Sequence, residues 1–357
     1  MGTFLFNRSI RTSKSIFNPI DRYPKRETIF MQDNTKKEPW YKLASFKLDS
    51  VPLLSASEQT KGSWARELEN LKQVPDCYKE FYNHNFNNAE TFPYSVLTPN
   101  FGGFLRRENE KLICKHEDKI FVLENVSDEI KNNCFQVQDI SYIETGSILL
   151  KAWMGINGFT SQGIYATETL KFNTVTDYMF HPFIEEIRSS NSDQNNTGIE
   201  TELAKFDYLS EIDFKFMNYA KKTMQSGEKM IEHVYQPEIR SRIISIFGKS
   251  LYRTSSSTHI SILTEKMLYI IKESGHRGTN NNRRFGGIWY YIPVNKIHST
   301  LLAKKSDDLV ELTINFSDGE QIKSLFSTIK KSEIDQFLVS LNSLKAQTNG
   351  NSDQIGQ

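Results

Sequence analysis

Cysteine is scarce in this chain: 357 residues hold only Cys77, Cys114 and Cys134. An odd number argues against a disulfide framework, and the wide spacing is not that of a CxxC-type metal site. A reducing, cytoplasmic setting is expected. Long apolar runs are also lacking. No stretch approaches the roughly 18 apolar residues of a spanning helix, and the N-terminus has no apolar run of the signal-peptide kind. Charge of one sign is missing too, since 44 Lys and Arg face 43 Asp and Glu for a net +1. The whole chain therefore has no bias towards nucleic acid, and charge becomes informative only segment by segment.

Motifs of catalysis are absent as well. The sequence contains no GxxxxGK[ST] phosphate loop, no HExxH, no GxSxG elbow and no GxGxxG between a strand and a helix. Its seven histidines are scattered. His181, before Pro182 among apolar residues, reads as structural, and His233, His259, His276 and His298 read as strand surface, not as metal ligands. Glu185-Glu186 and Asp307-Asp308 read as solvated helix face and loop. No catalytic residue, metal ligand or cofactor is expected.

What is present is strand periodicity. Val310, Leu312, Ile314 and Phe316 alternate with polar residues, Asp318-Gly319 supplies a hairpin turn, and Gln321–Phe326 runs back. Ser332 then opens a helix with Ile334, Phe337, Leu338, Leu341 and Leu344 on one side. Upstream, the expected layout is a basic, largely irregular leader over 1–57 and a helical lead-in of two pieces over 58–91. A strand-rich domain over 92–190 follows, closed by a helix over Asp177–Arg188, in which Pro182 is tolerable only in the first turn. Residues 191–223 supply a polar linker and one amphipathic helix over Glu202–Met224, a second strand-rich domain covers 224–345, and 346–357 form a disordered tail.

The two halves have their parts in the same order. Short antiparallel strands lead to Gln138–Ile143 in one and to Asn295–Thr300 in the other, and each series ends in an amphipathic helix. This order resembles the pleckstrin-homology superfamily, above all the bacterial pleckstrin-homology-like and GRAM-related domains. In the second half the resemblance rests on Ser226-Gly227-Glu228-Lys229, on Ile262-Leu263-Thr264 with Met267–Ile271, and on Tyr291-Ile292-Pro293-Val294-Asn295-Lys296-Ile297; the first half matches by layout only. It implies an α+β, mainly β chain of two barrels of about seven antiparallel strands. Each barrel would be closed by a C-terminal helix, and an amphipathic helix would join the two.

Charge separates the halves. Between Pro237 and Lys305 there are 12 Lys or Arg against 3 acids, whereas Phe92–Ser190 has 9 against 13. Arg240, Arg242, Lys272, Arg277, Arg283 and Arg284 are the candidate binding residues, the last three in a Gly/Asn-rich loop suited to phosphate, lipid headgroups or an acidic protein surface. Since such folds host many roles, the leading expectation is a non-catalytic adaptor that docks onto a protein partner. Peripheral binding to anionic membrane lipid through the basic second domain is the alternative, and an enzyme with an unrecognised site is the third.

Overall fold

β1 (Arg66–Leu68) and the helix α1 (Asp76–Phe86) open a computed structural model that describes residues 61–86, 89–103, 106–127, 129–189, 198–246, 249–274 and 286–352. The basic leader lies outside the described residues. Of the two helical pieces expected here, the second is a helix, and the described part of the first is not helical beyond Lys61. In the first, Arg66, Glu67 and Leu68 pair with Leu97, Val96 and Ser95 instead, because the open edge of a sheet satisfies the backbone at once. Tyr78, Tyr82 and Phe86, one helical turn apart, bury the inner side of α1.

The strands that follow are β2 (Tyr94–Leu97), β3 (Phe101–Gly103), β4 (Arg106–Glu108), β5 (Lys111–His116), β6 (Lys119–Val126), β7 (Glu129–Ile148), β8 (Lys151–Thr160) and β9 (Tyr165–Asn173). β7 is 20 residues long. Its first part pairs with β6 and its second with β8, the register shifting between Phe135 and Tyr142. A 3-10 segment (Thr174–Phe180) leads into α2 (His181–Ser189), which does place Pro182 in the first turn.

The single helix expected over 202–224 is three: α3 (Ile199–Ala204), α4 (Leu209–Ile212) and α5 (Phe214–Thr223). Asp213 divides the last two, because its carboxylate leaves the helical path to accept a hydrogen bond from Phe216 N at 3.1 Å and so caps α5. The second half comprises β10 (Met230–Gln236), β11 (Ile239–Ile246), β12 (Lys249–Ser256), β13 (His259–Thr264), β14 (Met267–Glu273), β15 (Gly286–Pro293), β16 (Ile297–Lys304), β17 (Leu309–Phe316), β18 (Gln321–Ser327) and α6 (Lys331–Ser352). Gly319, at φ +90, makes the expected turn between β17 and β18. α6 continues past Lys345, where the sequence placed a tail; residues 353–357 lie outside the described residues.

The two separate barrels implied by the resemblance are not what forms. Eleven described strands make one antiparallel sheet in the order β1-β2-β5-β6-β7-β15-β14-β13-β10, with β8 and β9 branching from β7, and it does not close on itself. The seam is the pairing of β15 with β7, from Gly286↔Ile148 to Tyr291↔Ile143. The edge of β15, which a self-contained barrel would close on its own strands, is taken by the first half. β16, β17 and β18 form a separate three-stranded sheet.

Packing follows the same division. One apolar cluster crosses the seam, joining Phe135, Ile143, Met154, Phe183 and Ile187 to Phe206, Phe216, Ile260, Tyr269 and Ile271, with α2 and α5 among the elements that supply it. A second joins the other face of β13, β14 and β15 to Leu312, Ile314 and Phe316 of β17 and to Ile334, Phe337 and Leu341 of α6, as the period-two pattern requires. A third lies under α1. No helix among the described residues is long and apolar enough to cross a membrane.

Candidate functional site: an aromatic cleft at the seam

Where β7 and β15 meet, two tryptophans lie against two glycines. A Cβ on Gly146 would fall 2.1 Å from the Trp153 ring, and one on Gly287 would fall 2.7 Å from the Trp289 ring and 3.1 Å from Tyr219. Only glycine admits these rings so close to the strands. Trp153 Nε1 donates to Glu144 Oε1 at 2.7 Å, which fixes that indole. The Trp289 ring meets Tyr219 of α5 edge-on, centroids 4.8 Å apart and planes at 63°. On the first-half side Phe172 and Phe180 stack at 3.7 Å.

These groups, with Tyr291, Ala152 and Ile184, enclose a cleft of about 420 Å³ between the sheet and α2 and α5. That volume falls within the roughly 300–1,000 Å³ of ligand sites. Asp177, His181 and Lys222 line its rim, all exposed, and none makes an ion pair among the described residues. His181, read as structural from the sequence, is thus a rim residue. An aromatic floor with one anion, one cation and one imidazole at its mouth suits an apolar or aromatic side chain whose polar neighbours stay wet.

A buried network holds the cleft's two walls in place. Arg188 of α2 donates through Nη2 to the Thr223 carbonyl at the end of α5 (2.7 Å) and through Nη1 to Glu185 (3.1 Å), with Glu228 at 3.6 Å. Its guanidinium lies 5.3 Å from the Tyr269 ring and 5.7 Å from that of Tyr291, and Tyr269 Oη donates to Glu228. First-half helix, connecting helix and second-half strands are therefore tied at one cation.

A second buried charge serves the first half alone. Glu168 accepts from Lys111 Nζ and Lys131 Nζ, both at 2.6 Å, and from Asn133 Nδ2. Burial would push its carboxyl up, but these ammonium hydrogen bonds bring it below the ordinary range. The site cross-links β5, β7 and β9. Cys114 is buried, which pushes its thiol up to about 12, and no three His, Cys, Asp or Glu side chains among the described residues converge as metal ligands.

The residues singled out from the sequence fall elsewhere. Lys272, at the end of β14, is half-buried, donates from Nζ to the Lys323 carbonyl at 2.6 Å and lies 5.3 Å over the Tyr290 ring. Burial lowers its pKa to about 8. Arg240 is exposed on β11 and engages Glu238 through Nε (2.9 Å) and Nη2 (2.7 Å). Arg242 belongs to the same strand, its side chain outside the described residues, as are Arg277, Arg283 and Arg284 altogether. Lys272 and Arg240 thus sit in different sheets, each with its own partner. The cleft residues were missed because they are spread over seven elements; the one signal was glycine inside strands, at Gly146 and Gly287.

No protein-family model matches the sequence, and no curated protein proves similar to it.

Proposed function

We propose that this chain is a non-catalytic cytoplasmic docking protein, and that it receives an apolar or aromatic side chain of a protein partner in the seam cleft. The observation that carries the reading is the pair of glycine-seated tryptophans walled by Tyr219, Phe172 and Phe180 beneath a rim of Asp177, His181 and Lys222, none of them ion-paired among the described residues. Large aromatic surfaces in a preformed recess supply most of the energy of a docking contact, while rim charges tune its rate and specificity. The cleft's place at the junction of two halves also fits, since binding sites favour such junctions.

Selection of a random peptide display library on the full chain tests this. Enriched peptides should share an aromatic or large aliphatic anchor. Their binding should fall about tenfold or more in Tyr219→Ala, which removes a wall, and shift with salt in Lys222→Glu, which reverses a rim charge. Peptides that bind both variants like the parent would contradict the reading.

A further inference from the structure

The strands assemble so that one end of the large sheet gathers several turns. Ile148 and Lys151 close the β7–β8 hairpin there, Gly286 of β15 sits opposite Ile148, and Glu273 of β14 sits opposite Gly287. Lys272 pairs with His259 and His259 with Gln236, which brings the ends of β13 and β10 to the same side. Thr174, after β9, bonds through N to the Leu150 carbonyl and through Oγ1 to that of Leu149, both at 3.1 Å. Lys215, at the start of α5, reaches the same end through its 2.7 Å ion pair with Glu273.

The side chains that project there are the wrong kind for water. Leu149 is 54% exposed, Leu150 56%, Val175 48%, Ile212 61% and Phe214 63%. Leu149-Leu150 is the whole of a two-residue turn, and Leu149 stands at φ +56. Such turns ordinarily carry Gly, Asn or Asp, for which that backbone costs nothing. A leucine costs stability at this position and leaves more than half of its surface in water, so burial does not explain it. The α4–α5 corner repeats the feature, with Ile212 and Phe214 on either side of the capping Asp213.

Charge indicates what these tips meet. Lys151, at the foot of the Leu-Leu turn, is exposed and makes no ion pair among the described residues. Strands β11 and β12, which follow β10 at this end, carry Arg240, Arg242, Lys249 and Arg253 with Glu238 the one acid beside them, held by Arg240. Separate apolar tips, not a groove, beside a strand pair whose sequence has four cations to one acid match a flat anionic layer with an apolar interior. We propose that this end of the sheet is a membrane-contact surface, with Leu149, Leu150, Val175, Ile212 and Phe214 entering the headgroup region of a bilayer rich in anionic lipid. It is independent of the cleft, since none of these residues lines it.

The test is sedimentation of the full chain with phosphatidylcholine vesicles made with and without phosphatidylserine, at low and high salt. The parent should bind the anionic vesicles and lose binding as salt rises. Leu149→Gly/Leu150→Asn installs residues the turn prefers, so the fold should melt no lower than the parent while vesicle binding drops about tenfold or more. Ile212→Ser/Phe214→Ser, which keeps the Asp213 cap, should act the same way. A parent that sediments with neither vesicle overturns the proposal and assigns the tips to a protein contact. Turn variants that bind as well as the parent overturn it too, because attraction by charge alone would then suffice.

Discussion

Arg188→Met tests whether the buried guanidinium holds the two halves together. The variant loses the bond to the Thr223 carbonyl and strands the Glu228 carboxylate, whose side chain is only 12% exposed, with Gln225 N and Tyr269 Oη as its remaining donors. Breaking a buried pair in this way costs about 3–5 kcal/mol. Part is returned, because Arg188 Nε is buried without a hydrogen-bond partner, a cost of about 1–3 kcal/mol that methionine removes. The net loss should be about 2–3 kcal/mol, read from the midpoint of urea unfolding at constant slope. Arg188→Met/Glu228→Gln removes the stranded charge yet keeps an acceptor for Tyr269, so it should regain about 1 kcal/mol. A single variant within about 0.5 kcal/mol of the parent, or a double variant less stable than the single, would refute the reasoning.

Three further outcomes follow from the packing. His259 donates from Nδ1 to the Ser257 carbonyl at 2.9 Å, and burial lowers its pKa to about 4. The unfolded chain takes that proton near 6.5, so stability should be full above about pH 6.5 and fall by about 3 kcal/mol as pH drops to 4. His259→Gln should flatten unfolding midpoints across that window; an unchanged pH profile would contradict the assignment. Phe337→Ala should cost about 3–5 kcal/mol in urea unfolding, because Phe337 is fully enclosed with Ile314 and Phe316; a cost under about 1 kcal/mol would place α6 on the surface. Gly286→Ala would set a Cβ 1.9 Å from the Ser147 carbonyl oxygen, so β7 and β15 must part and the thermal midpoint should fall by several degrees; no change would mean that the seam is looser than drawn.

Local pattern carried much of the strand content. The stretch expected to be strand-rich over 92–190 is so, and β17, its Asp318-Gly319 turn and β18 follow the alternation of one dry face. Partner choice was not legible. Nothing in the period of Ile288–Tyr291 says that its free edge pairs with Ile143–Ile148 of the other half, since a strand's alternation fixes which face is dry and not which neighbour it takes. The pairing of β11 with β12 was not legible either, because Arg240, Arg242, Lys249 and Arg253 break the alternation of one dry face by which a strand is recognised. Among the candidate binding residues, Lys272 looked free because a sequence does not show that Tyr290 and the Lys323 carbonyl enclose it. The cleft drew on residues from Thr145 to Tyr291, a separation no local motif can bridge.

The most direct measurement is the set of four tryptophan indole N–H resonances, from Trp40, Trp64, Trp153 and Trp289, followed by NMR while a selected aromatic-anchored peptide is added to the full chain. Docking in the seam cleft predicts that the Trp289 and Trp153 resonances move together along one saturation curve and that Tyr219→Ala abolishes the movement. A peptide that binds while both resonances stay fixed would contradict it.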